Sequence, residues 1–368
     1  MTQRPKSMAS KHLHTQSGVA LISAMLVVTL VATLASVALW QQWRHVEVES
    51  AERHRIQASW LLSGAFDWTR LILREDSLAG VAGAALSSSG GQVSAAGGVD
   101  HLGEPWALPL KEAKLSTFLS QDQQLREGDP EVFLSGQVTD AQSRINLANW
   151  FENSDAKKPG RLSDAMQLTL VRLFIALGLP GAELEVLSRE WLAASQAARL
   201  RAQTKAHNGT PSGGGPSRSA LLPQQVLQLQ WLGLSRETLV SLAPHLSILP
   251  EPTPLNLNTA SAEVIYASVP GLDLASAQKF VQLRGRSHFD NLTEAAKALG
   301  VKTLEPGKFS LGTRYFEVWG RLRMEDRTQE ETALILRDAG NTSFVWRQKI
   351  AGIMSYSNPE SLLQSSQP

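Results

Sequence analysis

The chain has 368 residues, 43% of them hydrophobic, and a formal net charge of +1 at pH 7. This length is enough for one large domain or two smaller ones. The near balance of charge excludes the broad basic field that a general nucleic-acid-binding protein uses. The absence of cysteine excludes thiol catalysis, zinc–thiolate sites and disulfide bonds. Stability therefore has to come from packing.

The first predicted element is an apolar segment near the N-terminus. Residues 19–40 run for 22 positions without a charged side chain. A helix of this length rises about 33 Å, which matches the roughly 30 Å hydrocarbon thickness of a bilayer. The main alternative is a cleaved secretory signal, whose apolar part is normally about 7–15 residues long. The pattern favours a single transmembrane helix.

The flanking charges predict how this helix is oriented. Arg4, Lys6 and Lys11 precede it without any acidic residue, whereas acidic and basic residues are mixed after it. Short basic segments stay on the cytoplasmic side of a membrane. The leader is therefore expected in the cytoplasm and the remaining chain on the other side.

Gly18, followed by Val19, joins the basic leader to the apolar segment. Glycine has no side chain, so a protease can approach its backbone closely. The junction resembles a class III prepilin signal, which is cut on the cytoplasmic side while the apolar segment is retained. The resemblance implies that a prepilin peptidase cleaves the Gly18–Val19 bond and methylates the new amine of Val19.

Ser23 is the fifth residue after this predicted cleavage site. Most pilins and pseudopilins carry a glutamate there, which pairs with the terminal amine of a neighbouring subunit because a lone buried charge is costly. A chain without it is either a tip subunit that has no neighbour above it, or a non-pilin anchor that tolerates serine. The residue alone leaves both interpretations open.

The helix is expected to continue beyond the membrane. No proline lies between Val19 and Pro105, so the helix is predicted to extend to about Glu75. Apolar residues spaced by 4, 3 and 4 positions predict a stripe that packs on a globular domain: Leu61, Ala65, Trp68 and Ile72. Trp60 and Trp68 are interpreted as core residues. The Gly-, Ala- and Ser-rich residues 79–98 predict a flexible connection.

Strand-like segments enclose a helical stretch. Residues 131–140 alternate apolar and polar side chains, and turn-forming residues separate three further segments that predict an antiparallel meander: 313–326, 331–340 and 342–350. The sequence from about 145 to 305 is helical in pattern and is interrupted by a Gly/Pro/Ser-rich loop at 207–219. The predicted class is α+β, with a large all-α domain inserted into a pilin-like fold.

This plan resembles the protein K family of type II secretion systems. The resemblance implies a single-pass inner-membrane protein with a periplasmic globular region. It also implies that the protein joins the minor pseudopilins I and J, caps the pseudopilus tip and supports protein export across the outer membrane. The expected parts are the leader (1–18), the membrane helix (19–40), the first pilin-like part (41–144), the helical insertion (145–305), the C-terminal strands (306–351) and a flexible tail (352–368).

Two segments of the insertion, residues 144–150 and 254–260, echo each other around Asn-Leu. Asn256 and Asn258 are expected to satisfy backbone donors of a turn or helix N-terminus. The second segment leads into a stretch that resembles the helix-hairpin-helix modules of DNA-binding and competence proteins, with Pro-Gly-Leu-Asp at 270–273 as its hairpin.

Asp273 departs from the hairpin pattern, because the family has a second glycine there. Its carboxylate would repel a phosphate, and residues 255–300 balance four basic against four acidic side chains. No nucleic acid is therefore expected as a partner. A membrane-anchored DNA-binding protein of a competence-like system is the alternative function, and a plain signal-anchored periplasmic domain is a third.

No catalytic motif accompanies these features. The sequence has no Gly-x-Ser-x-Gly, His-Glu-x-x-His or Gly-x-x-x-x-Gly-Lys motif, so neither an enzyme activity nor a catalytic cofactor is expected. Members of the family can bind calcium in their globular region. No segment has the spacing of a calcium-binding loop, so the sequence places no such site.

Overall fold

The structure is a computed structural model that describes residues 17–86, 98–115, 131–152, 160–206, 221–325, 327–338 and 340–350. Its α-helices are α1 (Ser17–Leu86), α2 (Asp164–Ala176), α3 (Gly181–Ala206), α4 (Arg236–Leu242), α5 (Ala262–Ser268), α6 (Leu274–Arg284) and α7 (Leu292–Leu299). Its β-strands are β1 (Leu110–Lys114), β2 (Val132–Asp140), β3 (Ile145–Asn146), β4 (Phe151–Glu152), β5 (Arg161–Leu162), β6 (Leu246–Ser247), β7 (Leu255–Asn256), β8 (Phe309–Ser310), β9 (Tyr315–Met324), β10 (Arg327–Asp338) and β11 (Asn341–Ile350).

The chain divides into two units, Met1–Ala58 and Ser59–Pro368. In the first unit, the described residues 17–58 are helical throughout. Their most apolar 18-residue window has a mean hydropathy of 2.4, and none of it is buried within the structure. By length and composition this helix can cross a membrane, as predicted. The leader up to residue 16 and the predicted flexible tail lie outside the described residues.

The second unit is built on an antiparallel sheet of five strands in the order β1-β2-β9-β10-β11. The four predicted strands are confirmed as β2, β9, β10 and β11, and the last three form the expected meander. The edge strand β1 was not predicted. Its sequence, Leu-Lys-Glu-Ala-Lys, is mostly charged and exposed, which is typical of a protected sheet edge but hides the alternation of a strand.

The helical domain leaves and returns to the sheet between two adjacent strands. β2 pairs with β9 along its whole length, from Val132 opposite Met324 to Asp140 opposite Phe316. The helices α2–α7 lie between these strands in the sequence and share one apolar core with Ile145 and Leu311 near its chain limits. The predicted α+β class with a helical insertion is therefore confirmed, although the insertion also contains the two-residue strands β3–β7. The predicted loop at 207–219 lies outside the described residues, and the domain limits stay predictions.

The second half of α1 packs on the sheet through a different stripe from the one predicted. The buried apolar residues are Leu62, Phe66 and Leu73. Gly320 of β9 faces them, and a Cβ there would lie 3.4 Å from the side chains of Leu62 and Phe66. The predicted stripe was wrong by one residue, about 100° around the helix.

Trp60 and Trp68 were predicted to be core residues, and this prediction was wrong. Their side chains are 75% and 64% exposed. The error arose because the apolar residues of α1 cover more than one face, so that spacing alone could not identify the buried one. The helix also continues to Leu86 instead of ending near Glu75. Residues 79–86, which were predicted to begin a flexible connection, are helical, and their alanines favour this conformation. The rest of the predicted connection, at 87–97, lies outside the described residues.

Two substitutions on α1 test this placement. Phe66→Ala is expected to lower the free energy of unfolding of the globular region by about 3–5 kcal/mol, because it leaves a cavity against β9. Trp68→Ala is expected to change it by less than about 1 kcal/mol, because the side chain is exposed. Urea unfolding of the full chain in detergent, followed by circular dichroism, measures both. A larger loss of unfolding free energy for Trp68→Ala than for Phe66→Ala would instead support the stripe predicted from the sequence.

Candidate functional site

The predicted processing residues lie together at the start of α1. The helix begins at Ser17, so Gly18 and Val19 belong to its first turn. The hydroxyl of Ser23 donates to the backbone oxygen of Ala20 at 3.0 Å. This bond satisfies the side chain within its own helix, so Ser23 needs no neighbouring subunit, unlike a buried carboxylate. Cleavage after Gly18 and methylation of Val19 stay predictions.

Farther along α1, in the second unit, an apolar surface points away from the sheet. It consists of Trp60, Gly64, Trp68 and Leu71, all exposed, and is called here the outer face. The residues follow each other by 4, 4 and 3 positions, which places them on one side of a helix. No atom lies within 4 Å of a Cβ built on Gly64. Exposed tryptophans beside a small residue are typical of protein–protein contacts.

A buried ionic group lies where α1 meets the sheet. Arg337 of β10 is 2% exposed, and its Nη1 donates to Asp76 Oδ2 at 2.6 Å. Its Nη2 donates to Asp100 Oδ1 and to the backbone oxygen of Thr313, the latter at 3.0 Å. With Glu104, whose carboxylate lies within 4.8 Å of both aspartates, these charged residues form what is called here the Arg337 cluster.

The charge of the Arg337 cluster is incompletely balanced. Burial raises the pKa of Asp100 to about 7, although Arg337 and the Thr313 N–H oppose that rise. Burial, together with the nearby charge of Asp76, raises the pKa of Glu104 to about 7. Three carboxyl groups thus face one guanidinium, and the two with raised pKa values take up protons more readily than free side chains do.

A histidine pair continues the contact to the helical insertion. The rings of His101 and His288 stack at a centroid distance of 3.8 Å, and His288 Nε2 lies 3.2 Å from Asp290 Oδ1. Burial lowers the pKa of His101, and the neighbouring His288 lowers it further. The loop after residue 98 therefore bonds the sheet on one side and the insertion on the other.

The Arg337 cluster as a whole was not predicted from the sequence. Its members come from α1, the loop before β1 and β10, so no local spacing relates them. One signal was available. Alternate residues of a strand lie on the same face, and in the predicted strand 331–340 Arg337 shares a face with Ala333 and Ile335. The structure buries these residues together with Glu331. A basic residue at a buried position of a strand requires an acidic partner.

Within the part of the chain that the structure describes, the three carboxylates of the Arg337 cluster, Asp76, Asp100 and Glu104, are the group that could hold a metal ion. Calcium takes about six to eight oxygen ligands. Four of the six carboxylate oxygens already accept hydrogen bonds, namely Asp76 Oδ2, both oxygens of Asp100 and Glu104 Oε2. The three carboxylates in this arrangement therefore do not fit a calcium ion, which the family resemblance implies but for which the sequence indicates no site.

The two echoing segments of the insertion have equivalent structures. Asn146 ends β3, which pairs in parallel with β6, and Asn256 ends β7, which pairs in parallel with β8. Asn146 Oδ1 accepts from Ala148 N and Asn256 Oδ1 from Asn258 N, both at 3.0 Å. The prediction that Asn256 satisfies a turn donor is confirmed. Asn258 instead exchanges hydrogen bonds with the backbone of Phe289, at 3.0 and 3.1 Å.

The helix-hairpin-helix resemblance is confirmed as a local shape. α5 and α6 are joined by a turn in which Gly271 has φ +77°. Asp273 Oδ1 accepts from the Ser276 N–H at 2.6 Å, and this bond lowers the pKa of Asp273. A carboxylate thus occupies the amide end of α6 that a phosphate would use, while Arg172 bonds the backbone oxygen of Leu272 at 2.7 Å. This arrangement does not favour DNA binding.

Known proteins resemble the chain over most of its length. A family profile described as type II secretion system (T2SS), protein K matches residues 255–313. The type II secretion system protein K of Pseudomonas aeruginosa is 29% identical over 325 residues, 85% of this chain and 86% of that protein. A chain in the crystal structure of the GspK-GspI-GspJ complex from enterotoxigenic Escherichia coli superposes with a TM-score of 0.54 and 18% identity. That match covers 82% of this chain and 99% of the other, and it shows a shared fold.

The raised pKa of Glu104 predicts a pH-dependent stability. A glutamate in the unfolded chain has a pKa of about 4.3, so the folded state binds more protons between that pH and about 7. The free energy of unfolding is therefore expected to fall as pH rises through this window. Glu104→Gln should reduce the slope by up to about 1.4 kcal/mol per pH unit. Urea unfolding at intervals between pH 5 and pH 7.5 measures it, and equal slopes in both proteins would contradict the prediction.

Proposed function

We propose that the chain belongs to the protein K family of type II secretion systems and that it caps the tip of a pseudopilus. It is a minor pseudopilin with a single membrane anchor, and it acts as an assembly subunit with no reaction of its own. We propose that its leader is cytoplasmic, its anchor lies in the inner membrane and its globular region is periplasmic. Its partners in this proposal are the minor pseudopilins I and J.

The outer face of α1 is the observation that carries this proposal. A helix that only had to pack on its own sheet would need one apolar face, which Leu62 and Phe66 provide. The outer face in addition exposes Trp60 and Trp68 to solvent, and each can bury about 150–250 Å² of surface against a partner. Gly64 between them lets a second helix approach closely. The N-terminal helix of a neighbouring subunit, anchored in the same membrane, is the partner that suits this surface.

Ser23 and the insertion support a position at the tip. Ser23 satisfies its own hydroxyl within α1 and offers no charge to a terminal amine above it. The helical insertion leaves the sheet as a separate core of six helices within the described residues. A domain of this size would obstruct stacking within a fibre shaft but not at its end.

Substitutions on the outer face test the proposed assembly. The double variant Trp60→Ala/Trp68→Ala is expected to lower the yield of I- and J-type subunits that co-purify with the full chain at least tenfold, because it removes two anchor side chains. Its melting temperature is expected to stay near that of the wild type.

The matched control is Trp231→Ala, in the helical insertion, which removes a tryptophan that is 58% exposed but lies outside α1. This control is expected to leave the co-purification unchanged. Undiminished recovery of both partners with the double variant would remove the support that the outer face gives to the proposal.

The processing residues are tested at the mature N-terminus. Mass spectrometry of the protein from cells that express a prepilin peptidase is expected to find Val19 as the first residue, with a methylated amine. Gly18→Leu is expected to leave the leader attached, because a bulky side chain blocks approach to the bond. A mature chain that begins well beyond residue 19 would instead indicate an ordinary secretory signal.

A further inference from the structure

The Arg337 cluster contains a positive charge that the chain itself supplies. Its three carboxylates come from two separate segments, α1 and the loop that follows residue 98, and their ligand atoms lie within 4.8 Å of one another. In proteins, carboxyl groups gathered this closely are stabilised by a bound cation, by a basic side chain or by protonation. Here the basic side chain is Arg337, which reaches them from β10.

We propose that Arg337 is the built-in cation of this cluster, so that it holds the carboxylates together without the calcium ion that the family resemblance implies. The inference concerns only the cluster and does not depend on the proposed function. A calcium site elsewhere in the chain would leave it unchanged.

The position of the guanidinium supports this role. Arg337 Nη1 and Nη2 each bond a different carboxylate, and Nη2 also bonds the backbone oxygen of Thr313. The guanidinium carbon lies 4.7 Å from the ring centre of Phe316, which covers one face of the group. A planar, permanently charged group with several fixed donors fits such a site better than a hydrated lysine would.

The remaining carboxylate oxygens are too few for a second cation. Besides the two oxygens bonded by Arg337, Asp100 Oδ2 accepts from the Thr313 N–H at 2.7 Å. Glu104 Oε2 accepts from the His101 N–H and from the indole of Trp106. A calcium ion would have to displace these donors and would lie next to the guanidinium, whose like charge repels it.

The cluster therefore joins α1, the loop and the sheet permanently. A bridge that used calcium would weaken whenever the concentration of the ion fell, because its stabilisation depends on the ratio of free ion to Kd. An arginine bridge has no such dependence. The junction of α1 with the sheet is thus expected to form at any calcium concentration.

Removal of the arginine tests the proposal. The melting temperature of the full chain in detergent is measured in EDTA and in millimolar calcium, for the wild type and for Arg337→Met. The shift between the two conditions is expected to be larger for Arg337→Met, because calcium can then replace the lost charge. The extra shift should be about 3 °C for each tenfold excess of calcium over its Kd, and it should disappear in Arg337→Met/Glu104→Gln.

Two matched variants accompany this measurement. Arg337→Lys keeps a positive charge, and Arg314→Met removes a different arginine, one that pairs with Glu251 and Asp338 outside the cluster. Both are expected to show the calcium shift of the wild type. Equal shifts in the wild type and in Arg337→Met would overturn the proposal.

A spectroscopic measurement decides the question should Arg337→Met fail to fold. Trp106 bonds Glu104, so its excitation would sensitise the luminescence of a terbium ion bound in the cluster. The wild type and Trp106→Phe are expected to give equal terbium emission. Emission from the wild type that calcium displaces and that Trp106→Phe abolishes would show that the cluster binds a cation despite Arg337, and the inference would fail.

Discussion

Asp100 is a buried residue, and the hydrogen bonds to its carboxylate and to its backbone oxygen connect three separate parts of the globular region. Arg337 of β10 bonds its side chain, and so does the N–H of Thr313, just before β9. Asn256 of the insertion bonds its backbone oxygen at 3.2 Å. An unpaired charge at this depth would cost several kcal/mol. The loop, the sheet and the insertion therefore have to take up their places together.

A second buried carboxylate fixes the base of the insertion in the same way. Asp140 is the last residue of β2, and its Oδ2 accepts from Asn256 Nδ2 at 2.9 Å and from the hydroxyl of Thr259. Burial raises the pKa of Asp140, while these bonds oppose the rise. The insertion is thus held at its base by buried hydrogen bonds, which gives a pilin-like sheet a large and firmly attached helical domain.

The two faces of α1 have different roles, and this difference connects the fold with the proposed assembly. The side chains of Leu62, Phe66 and Leu73 belong to the subunit's own core, whereas Trp60 and Trp68 on the outer face remain available to other subunits. A helix that is already fixed on a sheet loses little conformational freedom when a partner binds, so more of the contact energy contributes to affinity. This is the arrangement expected of a subunit that joins a fibre through its N-terminal helix.

How far the sequence could be read depended on the range of the interactions concerned. The strands β9–β11 and the helices of the insertion were predictable, because alternation and helical periodicity are local patterns. The charged edge strand β1 was missed because its solvent exposure leaves no such pattern. Asn256 was predictable as a turn residue, yet its bonds to Asp100 and Asp140 join residues more than 100 positions apart in the chain.

By itself the sequence determined the apolar helix and the insertion of a helical domain, because each depends on consecutive residues, and it also predicts a prepilin-type junction at Gly18. Only the tertiary structure decided which face of α1 is buried, since strand β9 lies more than 200 residues away in the sequence and its Gly320 leaves room for Phe66. The same holds for Arg337, whose charge acquired its role only when folding brought Asp76 and Asp100 to it.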